Sequence, residues 1–109
     1  MELSPEDAKL VTLARASRAR TGAAEGAAVR DLDGRTYAAA TVALESLQLA
    51  ALELAVAMAV SSGAKGLEAA AVVTDVEAVG TTAVRDLAGT GVSVFVADTS
   101  GAVGSVRES

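Results

Sequence analysis

The run from Leu47 to Val60 constrains the fold of this chain more than any other segment, because only Gln48 and Glu53 within it are polar. A helix that is apolar nearly all round must be covered on several sides. Gly63 follows the run at a position suited to a left-handed helix cap. The sequence therefore predicts a central helix over Ser46–Ser62. This helix is too short to span a bilayer comfortably, so we expect it to pack on a sheet and on a neighbouring subunit.

Two shorter apolar runs have the pattern of strands that are buried on both faces. They extend from Ala69 to Thr74 and from Val92 to Ala97, and such nearly continuous apolar runs are typical of interior strands. A short helix is predicted between them, around Thr81 to Ala88, followed by a loop that contains two glycines. A weak last strand or a tail is predicted near Ala102 to Val106.

The first third of the chain predicts one helix and one hairpin. Ser4 can cap a helix that begins at Pro5, and the acids that follow favour the positive end of the helix dipole. This helix should fade at the cationic stretch 18–20. Two short strands, 26–30 and 35–42, then flank Asp33-Gly34, which is a strong signal for a tight turn.

The alternation of helices and strands predicts an α/β protein. We expect a three-layer α/β/α sandwich with a mixed, mostly parallel sheet after the N-terminal β-hairpin. At 109 residues the chain is expected to form a single domain over 1–109.

Composition narrows the possible functions. The chain has no Cys and no His, which excludes disulfides, iron–sulfur clusters and thiol chemistry and removes the commonest metal ligand. The net charge of −5 disfavours nucleic acid as a partner. The apolar residues are mostly Ala and Val, and so thin a core favours oligomerisation. The acidic start of the sequence lacks the apolar run of a secretion signal, so we expect a cytoplasmic protein.

Several segments, in order and spacing, carry a resemblance to a known family. They are Glu25-Gly26-Ala27-Ala28-Val29, the stretch from Asp33 to Val42, Ser46-Leu47-Gln48-Leu49, the central helix, the strand 70–75, Val84-Arg85-Asp86-Leu87 and Val94-Phe95-Val96-Ala97-Asp98. Together they resemble the small, homotetrameric-type cytidine deaminases over most of the chain. The resemblance implies the three-layer fold, an assembly with the central helix near its centre, and a catalytic zinc ion.

The residues that hold the ribose in that family have no counterparts in this sequence. The resemblance implies an Asn and a Glu on the second strand, where this chain has Thr41 and Ala43. It also implies an aromatic residue ahead of the first strand, where this chain has Ala23.

The zinc-binding positions differ as well. The resemblance implies Cys-Ala-Glu at the start of the central helix, which falls on Leu52, Glu53 and Leu54, or on Ala51 to Glu53 after a one-residue deletion. It implies two further Cys residues at the start of the third helix, where this chain has Thr81 and Val84. We therefore expect no zinc, no other cofactor and no catalytic residue, and the degenerate positions are Thr41, Ala43, Leu52, Leu54, Thr81 and Val84.

Three functional hypotheses follow. The first is a pseudoenzyme, a non-catalytic homo-oligomeric binding or scaffold module, dimeric or tetrameric through the helix Ser46–Ser62. The second is a working pyrimidine nucleoside deaminase or hydrolase with an unrecognised site around Glu53, which otherwise reaches a helix edge or pairs with an arginine. The third is a small nucleotide- or RNA-binding module that uses Arg15, Arg18 and Arg20, the main basic cluster, which otherwise is a solvated helix end.

Two acidic pairs complete the candidates. Asp31 and Asp33 could bind a divalent cation, but at a hairpin turn such residues usually form the turn. Asp75 and Glu77 follow a buried strand at the end where α/β folds bind ligands, and their alternative role is helix capping.

Overall fold

The computed structural model describes residues 2–76 and 78–109, which form three helices and seven strands. The elements are α1 (Pro5–Thr21), β1 (Gly26–Asp31), β2 (Thr36–Ala40), β3 (Val42–Ala43), β4 (Gln48–Leu49), α2 (Ala51–Ser61), β5 (Leu67–Val73), α3 (Thr82–Ala88), β6 (Ser93–Ala97) and β7 (Val103–Glu108). No helix within the described ranges combines the length and apolar character needed to cross a bilayer.

The five long strands form one mixed sheet in the order β2-β1-β5-β6-β7. The predicted α/β/α sandwich with a mixed sheet is confirmed, but the prediction that the sheet is mostly parallel is wrong. Among the described strands of this sheet, only β5 and β6 run parallel, whereas the pairs β1–β2, β1–β5 and β6–β7 are antiparallel. The reason is topological, since two hairpins supply four of the five strands and consecutive hairpin strands must be antiparallel.

Helix α1 covers one face of the sheet. It begins as predicted, because the Ser4 hydroxyl accepts a hydrogen bond from the Asp7 amide at 3.2 Å. Leu10 and Ala14 are wholly buried against this face. The helix lies so close to β1 that a Cβ built on Gly26 would stand 2.0 Å from the Ala14 carbonyl oxygen. Glycine at position 26 is therefore what allows this helix to approach the sheet.

Helices α2 and α3 cover the other face. The sheet-facing side of α2 consists of Ala51, Leu52, Ala55, Val56 and Ala59, all of which are buried. They pack in one core with Val84 of α3 and with inward residues of β1, β5 and β6.

The central helix starts five residues later than predicted, at Ala51 instead of Ser46. Gln48 and Leu49 belong to β4, which pairs antiparallel with β3 in a small separate sheet. The Leu44 amide donates to the Leu47 carbonyl oxygen at 2.9 Å and closes the turn between them. Backbone pairing with β3 thus outweighs the helical preference of this apolar stretch.

Candidate functional site

The positions that the resemblance assigns to the active site lie near one end of the sheet's strands, around the beginnings of α2 and α3. The ribose-side positions come first. The Thr41 hydroxyl accepts from the Glu25 amide at 2.9 Å and donates to the Glu25 carbonyl oxygen at 3.2 Å. Thr41 therefore extends the hairpin ladder by one step with its side chain. Ala43 is exposed on β3.

A shallow cavity of about 330 Å³ remains beside these residues, and its lining includes Glu25, Thr41, Ala43 and Gln48. The Glu25 carboxylate accepts a hydrogen bond of 2.7 Å from the Thr74 hydroxyl at the end of β5. No motif in the sequence marks Glu25 as a site residue. Its position one residue before β1, next to the ends of β2 and β5, is visible only once the strand order is known.

The metal-side positions are apolar except for Thr81, and all of them are at least half-buried. Leu52 is 3% exposed and Val84 is fully buried, and both belong to the core cluster between the sheet and the two helices. Leu54 is half-buried against the same cluster. Thr81 is half-buried at the start of α3, where its carbonyl oxygen accepts from the Arg85 amide at 3.1 Å.

These side chains do not fit the zinc ion that the resemblance implies. Zinc is bound by thiolate, imidazole or carboxylate ligands, and positions 51, 52, 81 and 84 offer alanine, leucine, threonine and valine. Among residues 2–76 and 78–109, no group of three His, Cys, Asp or Glu side chains is arranged so that it could hold a metal ion.

Glu53 lies at the first turn of α2, and its side chain is engaged locally. Its Oε1 accepts a hydrogen bond of 2.9 Å from the Ala50 amide. In a complete capping box, the N-cap side chain also accepts a hydrogen bond from the backbone amide of the residue three positions later. Here the N-cap residue is Ala50, which has no hydroxyl, so only the bond from its amide to Glu53 is formed by a side chain. Glu53 also borders a shallow apolar groove between α2 and α3, together with Asp86.

The three arginines do not form one patch. Arg15 lies near Gly101, while the Arg18 Nε donates to the Ala24 carbonyl oxygen at 3.3 Å and its Nη2 lies 3.9 Å from Asp75. Arg20 is rotated by about 200° from Arg18 around the helix axis, at roughly 100° per residue. Arg15 and Arg18, three residues apart, share a side of α1, whereas Arg20 lies on another side of the helix.

The hairpin acids form the turn, as expected for this motif. Asp31 is buried, and its Oδ1 accepts from the amides of Asp33 and Arg35 at 2.9 and 3.0 Å. Its Oδ2 accepts from the Tyr37 hydroxyl at 2.8 Å. Burial alone would raise the pKa of Asp31, but these hydrogen bonds, led by the one from Tyr37, together lower the pKa below its ordinary value. The Tyr37 pKa is raised in turn, first by its hydrogen bond to Asp31.

The second acidic pair is only partly described. Asp75 follows the carboxyl end of β5, the central strand of the sheet, and is exposed. Glu77 lies outside the described residues.

An α/β/α sandwich with this five-stranded mixed sheet defines the class of fold. The sequence matches the model of the family "Cytidine deaminase-like" over residues 3–101. The chain therefore belongs to the cytidine deaminase-like family.

Solved structures share the fold at low sequence identity. The cytidine deaminase from Burkholderia pseudomallei is 21% identical with a TM-score of 0.77, and the alignment covers 98% of this chain and 92% of that one. The cytidine deaminase from Mycobacterium leprae is 20% identical with a TM-score of 0.71, covering 97% and 94%. A point mutant of the cytidine deaminase from Mycobacterium tuberculosis is 25% identical with a TM-score of 0.68, covering 85% of each chain. No curated protein matches the sequence.

Proposed function

We propose that this protein is a non-catalytic, homo-oligomeric module of the cytoplasm with the cytidine deaminase-like fold. The observation that carries the proposal is the burial of Leu52 and Val84 in the hydrophobic core. The resemblance assigns ligand positions of the zinc site to these residues. In this chain they fill the interior between the sheet and the two helices.

The energetic cost of reopening such a site supports the same proposal. Fully burying a Val or Leu side chain stabilises a fold by about 1.5–3 kcal/mol. A polar pocket at this point would lose that stabilisation and would leave desolvated polar groups. The packing of Leu52 and Val84 is therefore favourable for a structural role and unfavourable for a metal-dependent reaction.

Glu53 supports the proposal through its hydrogen bond. A general acid or base must reach the proton that it transfers, whereas the Glu53 carboxylate is turned back to the Ala50 amide of its own helix. It is placed as a helix-capping group, and its negative charge also suits the positive end of the helix dipole.

Metal analysis and a deamination assay on the purified protein test this proposal. We expect no stoichiometric zinc and no conversion of cytidine or deoxycytidine. Zinc bound in stoichiometric amount, and removed together with activity by a chelator, would falsify the proposal. Activity that is lost on Glu53→Gln would instead support the hypothesis of a site around Glu53.

A triple cysteine variant tests whether restoring the ligand residues alone would restore the zinc site. Introducing Leu52→Cys, Thr81→Cys and Val84→Cys together should lower the free energy of unfolding without restoring activity, because the core loses apolar volume. Tight zinc binding and deaminase turnover in this triple variant would contradict the view that apolar packing has closed the site.

We assign the proposed subunit interface to the outer side of α2. Leu54, Ala57, Met58 and Val60 lie on this side, and Val60 is 52% exposed. Burial of such a face in a homo-oligomer would remove apolar surface from water. The face lies between two shallow grooves, one toward Tyr37 and one toward α3.

This assignment changes which residues test the assembly. Charged substitutions at Ala55 or Ala59 do not test it, because both side chains are fully buried against the chain's own sheet. Changing them would test folding. Val60→Lys should instead dissociate the oligomer while leaving the fold intact, and Leu32→Lys, at an equally exposed apolar residue on the hairpin turn, is the matched control.

Light scattering at micromolar concentration measures the outcome. We expect a dimer or tetramer for the unchanged protein and for Leu32→Lys, and a smaller species for Val60→Lys. A monomeric unchanged protein would refute the proposed assembly, and an oligomer that survives Val60→Lys would refute this interface.

A further inference from the structure

A polar crevice opens where β5 and β6 end side by side. These strands are the parallel pair of the described sheet, and their register ends at Val73 opposite Ala97. The crevice has a volume of about 360 Å³, within the roughly 300–1,000 Å³ range of small-molecule sites. In α/β sheets, ligands bind outside the carboxyl ends of the parallel strands. Asp75 lines this crevice, whereas the positions that the resemblance assigns to the active site do not, and β7 forms one of its walls.

A β-bulge in β7 sets the chemistry of that wall. Val96 pairs with Ser105 and Ala97 pairs with Val103, so Gly104 is an extra residue between them. A shift of one residue moves the following side chains to the opposite face of a strand. The bulge therefore places Ser105 and Arg107 on the crevice side, opposite Val96 and Val94, whereas Val103 packs toward α1.

The bulge also leaves space. Gly104 lines the crevice, and a Cβ built on it would meet no atom within 4 Å. Bulges are enriched beside active sites, where they redirect a side chain. If Gly104 instead paired with Val96 in a regular ladder, Ser105 and Arg107 would face α1 and Val106 would face the crevice.

The charged groups around the crevice have both signs. Asp75 and Asp98 follow β5 and β6, and Arg107 comes from β7. The Asp98 Oδ1 accepts from the Ser100 hydroxyl at 2.6 Å and from the amides of Ser100 and Ala102 at 2.9 and 3.1 Å. These bonds, led by that from the Ser100 hydroxyl, lower the pKa of Asp98 and fix its charge in place.

Asp75 is more open than Asp98. Its side chain is 71% exposed, and its ion pair with Arg18 is long, at 3.9 Å, so its carboxylate can accept further hydrogen bonds. Arg107 offers five N–H donors in a fixed fork, which can serve more than one acceptor at a time.

From this arrangement we propose that the crevice binds a small zwitterion of the α-amino-acid class, with its ammonium group toward Asp75 and Asp98 and its carboxylate toward Arg107. A simple anion would meet two carboxylates, and a simple cation would meet the guanidinium group. A compact ligand that carries both charges pairs with all three residues. The proposal does not depend on the oligomeric state or on the absence of deamination.

Nuclear magnetic resonance of the ¹⁵N-labelled full chain tests the proposal. The protein is titrated with each of the protein L-amino acids up to millimolar concentration. For each amino acid that binds, the amine that lacks its carboxyl group and the acid that lacks its amino group serve as single-charge analogues; for alanine these are ethylamine and propionate. We expect at least one amino acid to shift the amide resonances of Asp75, Asp98 and Gly104, and both of its single-charge analogues to bind more weakly.

Charge-removing variants locate the contacts. Asp75→Asn and Arg107→Gln should each weaken binding by at least about tenfold, because each removes a charge-assisted hydrogen bond. Arg85→Gln and Asp86→Asn, which remove the same charges from exposed positions on α3, should bind like the unchanged protein. Arg107→Lys retains the charge but loses the planar fork of donors, so it should fold and bind more weakly than the unchanged protein; equal binding would contradict the role of Arg107.

Three results would overturn the proposal. They are the absence of shifts at the crevice with every amino acid, equal binding of the single-charge analogues, and unchanged affinity in the Asp75 and Arg107 variants.

Discussion

The two faces of the sheet, one covered by α1 and the other by α2 and α3, are both packed mainly with alanine and valine. The helices that cover them differ in how many apolar side chains they leave exposed to solvent. Every large apolar side chain of α1 that the structure describes is at least half-buried, and the outer side of this helix carries Glu6, Lys9 and Arg15. On the opposite face, Met58 and Val60 of α2 remain exposed. The α1 face leaves no large apolar side chain of its helix exposed, whereas the α2 face leaves two, on the side that we propose as the subunit interface.

The largest effect is expected where α1 is closest to the sheet. Gly26→Ala would place a Cβ 2.0 Å from the Ala14 carbonyl oxygen, which forces the helix away from β1. We expect a loss of more than about 3 kcal/mol in the free energy of unfolding, at the upper end of overpacking effects. Urea denaturation measures it, and Gly80→Ala, where a Cβ meets nothing within 4 Å, is the control. A loss of stability below about 1 kcal/mol would show that α1 does not lie this close to β1 at Gly26.

Core truncations compare the two faces directly. Leu10→Ala on the α1 side and Leu52→Ala on the α2 side should each cost about 2–4 kcal/mol, because each leaves a cavity in a packed cluster. Val60→Ala, on the outer side of α2, should cost below about 0.5 kcal/mol in a monomer. If Val60→Ala lowered the free energy of unfolding by more than this, and by an amount that depends on protein concentration, a partner would have to cover Val60.

The hairpin turn makes stability depend on pH. The folded pKa of Asp31 is lowered, so its contribution to stability is present above the unfolded value of about 3.9 and is lost as the pH falls from there through the folded value. We expect unfolding free energies measured between neutral and strongly acidic pH to decline less steeply in Asp31→Asn than in the unchanged protein.

Asp33→Asn is the matched control for this pH dependence, because Asp33 is exposed in the same turn. If Asp31→Asn follows the same pH curve as the unchanged protein, the hydrogen bonds of Asp31 do not stabilise its charged form.

The smallest effects are expected at the helix starts. Ser4→Ala removes a side-chain cap and should cost about 1 kcal/mol. Glu53→Ala, which removes only the reciprocal bond to Ala50, should cost roughly 0.5 kcal/mol. Thermal unfolding of both variants measures the difference. A cost at Glu53 well above that at Ser4 would show that this carboxylate has a further partner, as an assembled interface would supply.

Much of the fold was predictable because the local signals agree with the tertiary structure. Ser4 with Pro5, and Asp33 with Gly34, act within a few residues of themselves, and the structure has a helix start and a hairpin turn at these positions. The start of α2 was predicted wrongly because Gln48 and Leu49 pair with β3. A pairing between separate segments leaves no periodic signal in either segment.

The candidate sites were predictable only in part. The substitutions at positions such as Leu52 and Val84 follow from comparing residue types, and their burial is consistent with those types. The roles of Glu25 and of the crevice wall at Ser105 depend on strand order and on a one-residue bulge. Neither depends on a local motif, so neither could be found before the sheet was known.

The strand order also has a consequence for how the chain folds. The strands β1–β2 and β6–β7 form hairpins with short connections, whereas β5 must join β1 across much of the sequence. Local pairings form early and distant ones late, because the closure of long loops costs entropy first. We expect the two hairpins to form before β5 links them into one sheet. Once in place, β5 is enclosed by a strand on either side, so its amide hydrogens should be among the last to exchange with deuterated solvent.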